Sequence, residues 1–153
     1  MASNGIREKI LLEVKSIIEG ISSIKHVQRK IISSVEELME IPFTQFPYVC
    51  MTGGLPIPKD QGGPRLYAAS QTSKVRSNLK IEIRTYGHNY TSPDTEISTL
   101  ADDIWKGLYS DPTIAGLVEF ISVKPVPTVY YFDPFFRFDM ILDVEYIHGT
   151  DGI

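Results

Sequence analysis

Three histidines, one cysteine and a strand rich in carboxylates are the residues of this sequence best equipped for chemistry. His26, His88 and His148 stand far apart, and none has a partner at the i+3 or i+4 spacing of a metal-binding helix. Structural or solvated roles are expected for all three. Cys50 follows Tyr48 and Val49 and precedes Met51. A catalytic thiol needs an electropositive, partly open setting, so a buried structural cysteine is expected, and one cysteine permits no internal disulfide. Asp139, Asp143 and Glu145 share one side of a strand pattern with Arg137. Hard divalent cations take several oxygens, so these acids are where a small metal-dependent hydrolase or nuclease would have to work. The strand places no lysine beside them, and a solvated charged face is the expectation. The glycines of GGLPIPKD, residues 53–60, do not form a phosphate cradle: the second glycine before lysine and the following Ser/Thr are missing, and the prolines remove amide donors. No catalytic, cofactor-binding or metal-ligating residue is assigned.

The elements that must carry these residues read clearly in places. Residues 4–21 form an amphipathic helix, with Ile6, Ile10, Leu11, Val14, Ile17, Ile18 and Ile21 along one stripe. Residues 24–32 alternate poorly and are read as a strand with a basic exposed face. Ser34 and Glu37 make a capping box for a short helix ended by Pro42. Residues 46–52 read as a buried strand, and residues 53–78 as a long loop, since glycine and proline recur through it. A strand follows at 79–86. Ser92, Pro93, Asp94 and Glu96 open a second helix, with Ile97, Leu100, Ala101, Ile104, Trp105 and Leu108 at helical spacing. Trp105 is expected to anchor it, and Asp111-Pro112 to close it. Residues 117–124 read as a strand that Pro125 and Pro127 confine to a sheet edge. Residues 135–147 alternate over the longest strand. The sum is one α+β domain over residues 1–153: a two-layer sandwich of a mostly antiparallel sheet, two amphipathic helices on one face, and a long loop.

Bulk properties narrow the function classes. A net charge of −4 provides no global field for nucleic acid or an anionic membrane, although Lys74 with Arg76, or Lys25, Arg29 and Lys30, could form local patches. No apolar run is long enough for a membrane-spanning helix. The first residues lack a signal peptide's apolar middle, so a cytosolic product is expected. Tyr130, Tyr131, Phe132, Phe135, Phe136 and Phe138 crowd into nine residues. Alternation directs about half of them to a core; the rest need cover from the long loop or from another chain.

The amphipathic first helix leads into a strand reading VQRKI, and Phe46-Pro47-Tyr48-Val49 precedes the long loop. LKIEIRTYGH, LADDIWKGLYSDPTIAGLVEFISV and FFRFDMILDVEYIH follow in that order. In element order over nearly the whole chain, this resembles the tail terminator (tail completion) proteins of long-tailed bacteriophages. The resemblance implies a non-enzymatic virion subunit that forms a ring, most simply a homohexamer, on the head-proximal end of the tail tube. Such a ring stops tube polymerisation and joins a head-completion or neck protein, and DNA passes its lumen without sequence-specific binding. A head–tail neck or connector component is the alternative of the same class. A ring needs a heterologous interface whose rotation closes. Its expected residues are Tyr130, Tyr131, Phe132 and Phe135, the loop residues Leu55, Ile57, Lys59 and Arg65, and the edge strand at 117–124. On this reading Phe135→Asp should leave a folded chain that no longer assembles.

Overall fold

A computed structural model describes residues 5–59, 74–89, 92–149 and 152–153. The first helix, α1 (Ile6–Glu19), is followed by β1 (His26–Gln28) and a short helix, α2 (Val35–Met39). Next come β2 (Tyr48–Gly53), β3 (Ile57–Pro58) and β4 (Lys74–His88). The third helix, α3 (Pro93–Tyr109), precedes β5 (Phe120–Phe132) and β6 (Phe135–Gly149). The sheet runs β1-β2-β4-β6-β5, with β3 paired to β4 off that path. All pairings are antiparallel except β1 with β2.

Two layers follow from the two periodicities. Ile10, Leu11, Val14 and Ile18 of α1 and Ile97, Leu100, Ile104 and Leu108 of α3 are buried in one core. Every second residue of the central strands faces them, including Leu79, Ile81 and Ile83 of β4 and Phe138, Met140, Leu142 and Val144 of β6. Each such side chain is worth about 1.5–3 kcal/mol of transfer free energy. Both helices therefore lie on one sheet face, and the sandwich is the α+β architecture expected. Gly87 is fixed by the same packing: a Cβ there would sit 2.3 Å from the Phe136 ring that crosses it. At one end, the carbonyl oxygen of Ile153 accepts from the Arg7 amide at 2.9 Å and the Tyr146 hydroxyl at 3.0 Å.

Several sequence expectations are corrected. The strand at 24–32 shrinks to His26–Gln28, because only Ile24 and Val27 reach the main core and Ile31 is exposed. The loop at 53–78 is shorter at both ends: β3 lies within it and β4 begins at Lys74, where Val75 and Ser77 already alternate with Lys74 and Arg76. Residues 60–73 of that loop lie outside the described residues. The strand at 117–124 is displaced to Phe120–Phe132, with a register shift between Pro125 and Val129. It does occupy the sheet edge, where prolines are tolerated. Ser34 caps α2 as its sequence suggests, accepting the Glu37 amide at 3.2 Å. Ser92 precedes α3 but makes no side-chain cap. Trp105 is 40% exposed and meets Tyr109 in a tilted ring contact, so the anchor is Ile104, which is fully buried.

The turn after α3 is held from two sides. Ile114 (φ 46°), Ala115 (φ 56°) and Gly116 (φ 77°) are consecutive left-handed residues, a costly conformation for a β-branched side chain. Ile114 is nevertheless fully buried, and Asp111 accepts the Ala115 amide at 2.7 Å and the Thr113 hydroxyl at 2.9 Å. The Ala115 amide, followed by the Thr113 hydroxyl, holds the Asp111 carboxyl below its ordinary value. A carboxyl lowered in the folded state contributes stability above its unfolded pKa and loses it as pH falls through the folded value. The urea midpoint of the parent should therefore fall as pH is lowered from about 5 to about 3, and Asp111→Asn should flatten part of that fall. Separately, Ile104→Ala should cost about 2–5 kcal/mol and Trp105→Ala about 1 kcal/mol or less in urea unfolding. Equal costs would contradict the packing of α3.

Candidate functional site

Helices α1 and α3 leave the other face of the sheet to other cover, and its two ends differ. At the β4 C-terminal end, Phe46, Tyr48, Tyr86 and Phe135 gather with Ile32, Leu38 and Cys50 in a second apolar cluster. The segment carrying α2 covers it, so the cover expected from the long loop comes from elsewhere. His88 packs among Phe46 (4.3 Å), Phe43 (4.7 Å) and Phe135 (5.1 Å), and burial lowers its pKa. Burial also pushes the Cys50 thiol up to about 11, consistent with a structural rather than reactive cysteine. A cavity of about 280 Å³ opens beside this cluster, between Ser33 and Leu38 on one side and Tyr86, Tyr130, Phe132 and Arg137 on the other.

The rest of the open face is a ladder of ion pairs. Arg137 forks onto Asp139 (2.9 and 2.6 Å) and lies 4.7 Å from the Tyr130 ring. Lys124 of β5 reaches Asp143 at 2.9 Å, Lys59 meets Glu145, Arg84 meets Glu82 at 2.8 Å, and Arg76 meets Glu119 at 3.0 Å. Asp139 and Asp143 are 5% and 8% exposed, so the carboxylates expected in water are buried against cations, Arg137 of the same strand for Asp139 and Lys124 of β5 for Asp143. A second cavity, about 300 Å³, lies where β4, β6 and β5 meet, bordered by Lys59, Lys80, Lys124, Phe120, Asp143 and Glu145. Asp143 borders it, with its Oδ1 shielded from solvent and without a hydrogen-bond partner. The lysines that the acidic strand lacks in sequence are thus supplied across the sheet, as the Lys80–Asp143 pairing shows.

The expected interface residues do not form one patch. Tyr130 and Tyr131 face opposite sides of β5, opposite Arg137 and Phe136, and remain 42% and 52% exposed. Phe132 is half-buried against the second cluster. Phe135 is 1% exposed and stacks on Phe46 at 5.6 Å, so it is spent inside the chain. Leu55 and Ile57 are 73% and 65% exposed, whereas Lys59 is engaged by Glu145. Arg65 lies outside the described residues. Phe120, 61% exposed, belongs to the edge strand expected at the interface; Lys80 and the exposed side of Trp105 carry no signal of their own in the sequence, and only the β4–β6 register places Lys80. The histidines do not converge: His148 bonds Ser77 at 2.7 Å and His26 bonds Gln28 at 2.8 Å. Among the described residues no three His, Cys, Asp or Glu side chains gather as a metal site, and no helix is long and apolar enough to cross a membrane.

No family model matches this chain, and no curated protein matches it.

The second cluster makes the Phe135 expectation testable in its corrected form. Phe135→Asp places a carboxylate among aromatic rings and should cost about 3–5 kcal/mol, whereas Tyr131→Asp should cost about 1 kcal/mol or less. A Phe135→Asp protein with the parent's urea midpoint would refute the buried placement.

Proposed function

We propose that this chain is a non-enzymatic assembly subunit: a phage tail terminator that forms a ring on the tail tube, stops its polymerisation and offers the surface for head attachment. The observation that carries this reading is a rigid sheet studded with exposed apolar side chains. Leu55, Ile57, Phe120 and Tyr131 are each more than half exposed, at or near the margins of the sheet. Exposed apolar groups in such number mark surfaces meant for other chains. The charged residues support the same reading, since the carboxylates of β6 are tied to Arg137, Lys124 and Lys59 in a ladder that stiffens the sheet. The element order resembling tail terminators supplies the specific role.

The edge strand β5 is an unusual joining surface. The Val123 amide points off the sheet and donates to the Tyr109 hydroxyl at 3.1 Å. Pro125 and Pro127 have no amide proton to offer, so the middle of this edge is closed to strand addition. Ring contacts therefore run through side chains on the faces and margins.

The test mixes the purified chain with polymerising tail-tube subunits and images the products by electron microscopy. Closed rings at tube ends and shorter tubes are expected. A chain that neither forms rings nor changes tube length overturns the proposal.

A further inference from the structure

The short helix α2 turns an apolar flank and an acidic ridge outward. Leu38 is its one buried residue, held in the second cluster. Val35 and Met39, four residues apart and so on one flank, stay exposed, and Ile31 is exposed just before the helix. Val35 also borders the 280 Å³ cavity, with Leu38, Tyr130 and Phe132. Glu36 and Glu40 form the ridge beside that flank, both exposed. Glu37 is held by Ser33 and Lys30, whereas among the described residues no cation pairs with Glu36 or Glu40. Like charges at this spacing repel.

The far end of the same sheet face has the reverse character. Strand β3 continues the edge begun by β2: Gly53 lies opposite Ile81 and Ile57 opposite Asn78, four residues on against three, a bulge of one. Ile57, Asn78, Glu145 and Phe120 then form one row across β3, β4, β6 and β5. Both ends of that row, Ile57 and Phe120, are exposed, and Leu55 is the most exposed large apolar side chain among the described residues. Pro56 and Pro58 alternate with Leu55 and Ile57. They stiffen the backbone that presents those side chains and leave no amide of their own for an added strand. The Gly54 amide is tied to the Lys80 carbonyl at 3.0 Å. The Lys80 side chain is exposed and enters no ion pair among the described residues. One end of the face therefore joins apolar groups to spare anions, and the other joins apolar groups to a spare cation.

We propose that α2 of one copy docks on the β3 margin of the next, with Leu55 and Ile57 packed on Val35 and Met39 over the cavity and Lys80 set between Glu36 and Glu40. Like surfaces repel: two α2 ridges would oppose glutamates to glutamates, and two β3 margins lysine to lysine. Unlike ends make a heterologous contact, which gives a ring where its rotation closes. This inference rests on the reading of the chain as a ring-forming subunit, and names the surfaces that join its copies.

Native mass spectrometry of the full chain across a dilution series tests it. Glu36→Lys with Glu40→Lys, Lys80→Glu alone, and Leu55→Asp should each raise the concentration needed for assembly about ten-fold or more. Combining Glu36→Lys and Glu40→Lys with Lys80→Glu exchanges the charges and should bring assembly back towards the parent's concentration. Circular dichroism checks each fold; where a variant fails to fold, Glu36→Gln with Glu40→Gln, Lys80→Gln and Leu55→Ser carry the test. Rings that form as readily in the Glu36→Lys, Glu40→Lys chain or in Leu55→Asp as in the parent overturn these surfaces and leave the ring reading standing. A charge-exchanged chain that does not recover overturns the pairing of Lys80 with the two glutamates. A parent chain that stays monomeric at every concentration overturns both the surfaces and the ring.

Discussion

The pairing of β4 with β6 is the interaction on which the rest of this molecule depends. The two strands run antiparallel in unbroken register from Lys74 opposite Gly149 to His88 opposite Phe135. That register decides which side chains share a face. It puts Leu79, Ile81 and Ile83 beside Val144, Leu142 and Met140 under the helices, and Lys80 and Arg84 beside Asp143 and Asp139 on the other side. A slip by one residue would exchange core and ion pairs along both strands. Flanking strands β2 and β5 then extend the two faces that β4 and β6 have set.

The helix layer locks this arrangement from one side only. Helices α1 and α3 cover the apolar face, and α2 with the segment leading to β2 caps one end of the other. What remains uncovered is a charged sheet with a short apolar rim. Its charges neutralise one another, so the face is neither a strong polyanion nor a strong polycation despite the chain's acidity. Acidic residues gather on α3 (Asp94, Glu96, Asp102 and Asp103) and around α2 (Glu36, Glu37 and Glu40).

How much of this was readable from residues alone depends on periodicity. Helices α1 and α3 and strand β6 have long, regular patterns, and the structure places them where those patterns do. The first half of β4 was hidden because Ser77 and Asn78 resemble turn formers, although Val75 and Leu79 keep the alternation. Strand β5 was misplaced because an edge strand half open to water buries little, and its prolines read as an ending. Trp105 fits the spacing of the apolar stripe but lies at its margin; Ile97, Leu100, Ile104 and Leu108 set its centre. Phe135 reads in sequence as an interface residue because its cover, Phe46, is remote along the chain. The Lys124–Asp143 pair and the cavity beside it were beyond reach, since both need the β5–β6 register.

Native-state hydrogen exchange tests the primacy of the β4–β6 ladder most directly. The slowest amides should lie at 79–85 and 138–144, and should exchange together only in global unfolding, with rates that track the denaturant-measured stability. Slowest exchange in α1 or α3, with β4 and β6 opening in smaller, separate events, would contradict the account.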